Sequence, residues 1–180
     1  MKKILALLAL ATSVSTFAAN FVQLEQENVS GRQGAGGSTA TYLRAGKDLG
    51  DYSLGLQSRT AKFDNGGGIA NSLETTIANK NVSAFGITPF VGMGHDFGGT
   101  GGGYNYGLVG ATAGAPVGPG FALVGIKTRV GRNDGDPKQT VGWVSYAHPI
   151  AKNVALTVGL SRSGETIKER GVSAGVSFGF

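Results

Sequence analysis

From about Phe21 onward the chain alternates apolar and polar residues in short runs, broken by segments rich in Gly, Asn and Asp. The last ten residues show it plainly. Val172, Ala174, Val176, Phe178 and Phe180 fall on one parity, and Gly171, Ser173, Gly175, Ser177 and Gly179 on the other. A period of two puts one set on each face of a strand. Val154, Leu156, Val158 and Leu160 alternate in the same way with Ala155, Thr157, Gly159 and Ser161. Read throughout, the pattern predicts ten strands, at 21–29, 39–48, 52–61, 73–78, 84–95, 104–113, 121–132, 139–147, 154–162 and 171–180. Between them lie turn sequences such as Leu49-Gly50-Asp51, Asn79-Lys80-Asn81, 115–119, 133–137 and 148–153, and Gly-rich loops at 30–38, 63–71, 97–103 and 164–169. The weakest region is 69–82. If all of it is loop, nine strands remain, and eight would require a second loss.

Composition narrows the class. Gly is 32 of 180 residues, charged residues are 15% and mean hydropathy is +0.02. A disordered chain carries more charge and fewer apolar residues. Met1-Lys2-Lys3, the apolar run from Ile4 to Ala11 and the small residues near Ala18 have the order of a secretory leader, with cleavage expected after Ala18 or Ala19. Residues 19–180 then form one domain. Losing Lys2 and Lys3 lowers the formal charge from +5 to +3, weak support for a nucleic-acid partner. There is no Cys, so no disulfide, thiolate metal site or lipid-modified cysteine is available. No later run approaches eighteen apolar residues. An exported chain of this kind is either a soluble β-sandwich or a barrel that spans the membrane with strands.

Three stretches carry a resemblance. The alternating strand closing on Val176, Phe178 and Phe180 resembles the C-terminal assembly signal of bacterial outer-membrane β-barrels. Tyr146-Ala-His-Pro-Ile-Ala-Lys152-Asn153-Val-Ala-Leu156 looks like the strand–turn–strand near the end of general bacterial porins, although Pro149 replaces a small polar residue and the turn is one residue longer. Thr88 to Phe97 is similar to strands of small outer-membrane proteins. The resemblance implies an all-β, antiparallel transmembrane barrel of ten strands, with eight as the alternative. It implies the Gram-negative outer membrane, reached through the periplasm, and contact with its lipid and lipopolysaccharide. It also implies recognition of Val176, Phe178 and Phe180 by the barrel assembly machinery. It implies no cofactor and names no substrate; the oligomeric state stays open.

Within a barrel, parity decides what faces lipid. A charge near the midplane on the lipid side costs roughly 2–4 kcal/mol, so the charged parity belongs inside. That sends Leu54, Leu56, Phe85, Ile87, Val91, Met93, Val124, Ile126 and Val130 outward. It sends Glu25, Glu27, Arg44, Arg59, Glu74, Lys127 and Arg129 into the lumen. Tyr52, Phe121, Trp143 and Tyr146 are candidates for aromatic girdles. The lumen charges admit two readings: a paired network filling a narrow barrel, or a polar constriction passing small solutes with a mild preference for anions. The porin resemblance favours passive diffusion. A closed barrel acting through its loops, in adhesion or envelope structure, is the alternative.

Candidates for chemistry are few. His95 and Asp96 are adjacent and so point to opposite faces, and Met93 and Phe97 occupy the positions where a nucleophile would share a face with His95. His148 reads as a turn residue. Gly98 to Gly103 leads into a strand and lacks the Lys-Ser or Lys-Thr of a phosphate loop. Asp134-Gly135-Asp136 is too short for a full calcium ligand set. The sequence therefore predicts neither an enzyme nor a metal site.

Overall fold

The computed structural model describes residues 20–32, 36–64, 66, 68–84, 86–98, 103–165 and 168–180. Ten strands run in chain order: β1 (Asn20–Arg32), β2 (Gly36–Leu49), β3 (Tyr52–Phe63), β4 (Ile69–Asn79), β5 (Ile87–Asp96), β6 (Tyr104–Val117), β7 (Gly120–Gly131), β8 (Lys138–Ala151), β9 (Val154–Glu165) and β10 (Arg170–Gly179). Each pairs antiparallel with its neighbours, and β1 pairs with β10, so the sheet closes into a barrel with no free edge. The seam is continuous, from Phe21 opposite Gly179 to Ser30 opposite Arg170. The leader over residues 1–18 and the outward position expected for Phe85 lie outside the described residues.

The strands are tilted, as closure requires. The row of paired residues starting at Asn20, at the foot of β1, passes through Lys47, Leu54, Ile77, Val91, Val109, Thr128 and Thr140 and reaches Gly164, near the far end of β9. One end of the barrel, the turn end, carries the connections 50–51, 80–86, 118–119 and 152–153. The other, the loop end, carries 33–35, 64–68, 97–103, 132–137 and 166–169. Gly50 and Gly118 open two-residue turns with φ of 75° and 56°. A positive φ at that position suits a tight hairpin, and a side chain there would be strained.

Most strands run two to five residues longer than the sequence reading, and four differences have a clear cause. The weak region is a full strand, β4, whose buried Ser72 and Glu74 alternate with exposed Leu73 and Thr75. The strand expected from Ala84 begins at Ile87, because a 3₁₀ turn at Lys80–Val82 and the positive φ of Gly86 (78°) hold the chain in a connection. The segments 115–119 and 148–153 are mostly strand rather than turn. Pro116 pairs with Phe121 at the end of β6, and Pro149 sits beside a register shift in β8. Proline is tolerated at strand ends and irregularities, where a ladder hydrogen bond is already missing.

The fold is inside out relative to a soluble domain. Leu43, Leu56, Ile77, Val91, Met93, Val109, Ile126, Leu156, Val158 and Leu160 are all exposed on the outer wall, Met93 by 70%. The buried polar groups, Glu25, Glu27, Glu74, Ser72 and Thr157 among them, are inside. Water would not support so broad an apolar exterior, whereas lipid requires it. A closed barrel also leaves no backbone group unpaired inside the hydrocarbon. Tyr52, Tyr146, Phe178 and Phe180 face outward near the turn end, where aromatic residues anchor a barrel at the interface. Phe121 and Trp143 correct the girdle expectation: they turn inward. A side chain on Gly114 would overlap the Phe121 ring, and one on Gly125 the Trp143 ring. Each bare glycine provides a surface on which an aromatic ring can lie flat.

Candidate functional site in the lumen

The interior chemistry is laid out by the pairing register. One inward row runs across six strands as Gln23, Arg44, Gln57, Glu74, Gly94 and Tyr106. The next inward row toward the loop end places Glu25, Tyr42, Arg59 and Ser72 side by side. With Glu27 on β1 and Lys127 and Arg129 on β7, the seven charged side chains assigned to the lumen lie in a single belt around the middle of the barrel.

Three clusters of contacts organise the belt. Glu74 is the most buried of the seven residues, 4% exposed, and takes both cations of β7. Lys127 Nζ pairs with its Oε1, and Arg129 donates from Nη2 at 2.7 Å and Nε at 2.9 Å to its Oε2. The Tyr106 hydroxyl donates to the same Oε2 at 3.3 Å. Tyr106 reaches across β5 because Gly94 leaves room, a Cβ there overlapping the phenol ring. Beside it in the same row, Arg44 Nη1 pairs with Glu25 Oε2 at 2.6 Å, and its Nε donates to Gln57 Oε1 at 2.8 Å. In the next row, the Tyr42 hydroxyl donates to Glu27 Oε2 at 2.7 Å and accepts from Arg59 Nε at 3.1 Å.

β9 and β10 contribute the space. Ser161 Oγ donates to Glu27 Oε1, and a side chain on Gly171 would overlap that carboxylate. Gln23 Nε2 donates to Thr157 at 3.3 Å. Long side chains of β1 therefore cross β10 to reach β9, and the Gly and Ser parity of β10 is what lets them pass. Arg59 differs from the other cations. Among the described residues its partners are the Tyr42 hydroxyl and ring, with no carboxylate in contact. Arg44 keeps 28% of its side chain exposed. The belt holds four cations against three carboxylates, a formal excess of one positive charge.

Tyr42, Tyr106, Gln57, Ser161 and Thr157 complete the belt; they are uncharged, so the pattern of lumen charges does not mark them. Their inward parity was legible, but which inward residues touch depends on the stagger between strands. The other candidate chemistry stays apart. His95 Nδ1 hydrogen-bonds Asn105 Oδ1 at 2.8 Å on the outer wall, next to the Phe97 ring. Asp96 accepts from the Gly98 amide at 2.8 Å, and Asp136 from the Asn133 amide at 2.8 Å, which are turn contacts. Val176 pairs with Leu24 at the seam, Phe178 with Val22, and the Phe180 amide donates to Asn20 O at 3.1 Å.

No family model and no curated protein matches this sequence. Solved structures similar in shape are outer-membrane barrels of several kinds. Neisserial surface protein A is 13% identical over 89% of this chain and 97% of its own, with a TM-score of 0.47. The KdgM porin is 12% identical over 89% and 99%, TM-score 0.47. The outer-membrane phospholipase of Salmonella typhi is 11% identical over 94% and 98%, TM-score 0.46. These likenesses assign no activity. The closed barrel, apolar outer wall and polar lumen define the class on their own: the chain is a transmembrane β-barrel, its outer wall in contact with membrane lipid.

Proposed function

We propose that this is an outer-membrane barrel whose lumen is closed to hydrated solutes by the charged belt, and that its function resides at its wall and rims. The observation that carries this reading is the burial of Glu74 with Lys127 and Arg129, 4%, 12% and 16% exposed at their side chains. Cations lining an open water channel would stay hydrated. Here they are spent on one carboxylate beneath Tyr106. Ten strands also lie near the size at which side chains fill a barrel, far from the sixteen or so of open porins.

A second reading, porin-like passage of small solutes, is favoured by Arg44 and Arg59. Arg44 is partly exposed and Arg59 has no carboxylate partner among the described residues, so the β1–β3 side presents the more accessible guanidinium groups to the lumen, although its charges balance against Glu25 and Glu27. A leak there would be narrow and would prefer anions. Liposome swelling separates the two. The closed barrel gives no uptake of a monosaccharide above protein-free vesicles; swelling that falls when Arg59 is replaced by Ala supports the channel.

In either reading the short turns face the periplasm and the loop end faces outward, as is usual for such barrels. Export through a leader over residues 1–18, assembly through Val176, Phe178 and Phe180, and the absence of catalysis belong to the same proposal.

A further inference from the structure

Charge on the outward parity lies near the strand ends, at Lys47, Lys62 and Lys138 and, as two directly facing residues, on β9 and β10. On β9 the outward series Leu156, Val158, Leu160 continues to Arg162, and on β10 the outward series Ala174, Val172 continues to Arg170. The two arginines are direct cross-strand partners, and so are Leu160 and Val172 immediately beneath them. All four are exposed, Leu160 by 57% and Val172 by 61%. Among the described residues neither guanidinium has a carboxylate in contact. Like charges directly opposite on a sheet repel, so the pair is built at a cost unless an anion sits between them.

The surroundings suit such an anion. Gly142 pairs with Arg162 on its other side, and a Cβ there would meet only a backbone oxygen at 3.9 Å, so the wall is open beside the guanidinium. Ser30 pairs with Arg170, and Asn28 with Val172. Asn28 Oδ1 accepts from Thr39 Oγ1 at 3.3 Å, leaving its amide NH₂ to donate outward. A pair of forked donors with hydroxyl and amide support, set above an apolar step, matches a phosphate joined to an acyl chain. Arginine forks bind phosphate oxygens bidentately.

We propose that Arg162 and Arg170, with Ser30 and Asn28, form a lipid-facing site for the phosphate headgroup of a membrane lipid, its chain lying over Leu160 and Val172. This rests on the reading of the chain as a membrane-spanning barrel and adds a specific lipid contact to it.

The test is native mass spectrometry of the barrel extracted from membranes in neutral detergent, titrated with phosphatidic acid, with phosphatidylcholine and with inorganic phosphate. Heat-modifiable migration of the same samples reports whether the barrel is formed. The expected result is a one-to-one adduct with phosphatidic acid, weaker by about fivefold in Arg162→Gln or Arg170→Gln, since a basic residue near a charged lipid surface contributes about that factor. Arg170→Lys keeps most of the binding, and Lys47→Gln at the opposite rim leaves it unchanged. Inorganic phosphate alone gives no adduct. Equal retention of phosphatidic acid by the Gln variants, equal retention of phosphatidylcholine by the wild type, or saturation by inorganic phosphate overturns the site. A protein that never shows a folded, heat-modifiable form overturns the barrel reading instead.

Discussion

Glu74 is the residue on which the interior turns. It satisfies Lys127, Arg129 and Tyr106 at once, so removing its charge strands two cations in a poorly hydrated place. Breaking a buried pair by deleting one partner costs far more than replacing both by apolar groups. We expect Glu74→Gln to destabilise the barrel by roughly 3 kcal/mol, read as a lower guanidinium midpoint for unfolding from lipid vesicles. Combining it with Lys127→Met and Arg129→Met should recover much of that loss; no recovery would show that the cluster is not a coupled unit. The inward glycines make a second residue-scale case. Gly125→Ala forces a methyl into the Trp143 ring, and overpacking of this kind costs about 1–3 kcal/mol. Trp143 fluorescence in the same unfolding experiment reports it directly. An unshifted midpoint would mean that the ring moves aside freely.

At the scale of elements, parity separates lipid from lumen on strand after strand. Ile126→Arg, on the outward face of β7, should cost roughly 2–4 kcal/mol, and Asp51→Arg in a turn close to nothing. Equal effects would remove the face assignment. Phe178 tests the seam in the same way. It faces lipid opposite Val22, and Phe178→Asp should lower the level of folded barrel in the membrane, measured by heat-modifiable migration. Strand number and class were legible because lipid and lumen impose a strict period of two, and even β4 shows it once Ser72, Glu74 and Thr76 are taken as inward. The ends of β6 and β8 were less legible. Pro116 and Pro149 read as turn residues, yet the rim of a barrel tolerates them in strand. Phe121 and Trp143 misled for another reason: an aromatic residue suits both a girdle and a lumen, and a glycine on the neighbouring strand, diagonal to Phe121 and opposite Trp143, decides between them. Single-sequence parity says which residues point inward, but not which ones meet. Glu74 and Lys127 are 53 positions apart and three strands away, joined by tilt and stagger that no local pattern encodes.

As a whole molecule, the barrel resolves the conflict between a greasy exterior and a charged interior by closing on itself and pairing its charges across the lumen. Whether water and ions cross the belt is the point on which its function turns. The most direct measurement is single-channel conductance of the purified barrel in a planar bilayer at neutral pH. The account predicts no stable step for the wild type, and steps in the Glu74→Ala, Lys127→Ala, Arg129→Ala triple variant, whose belt is cut on one side. Stable wild-type steps that change in size or anion preference with Arg59→Ala would contradict it and make the belt the constriction of an open channel.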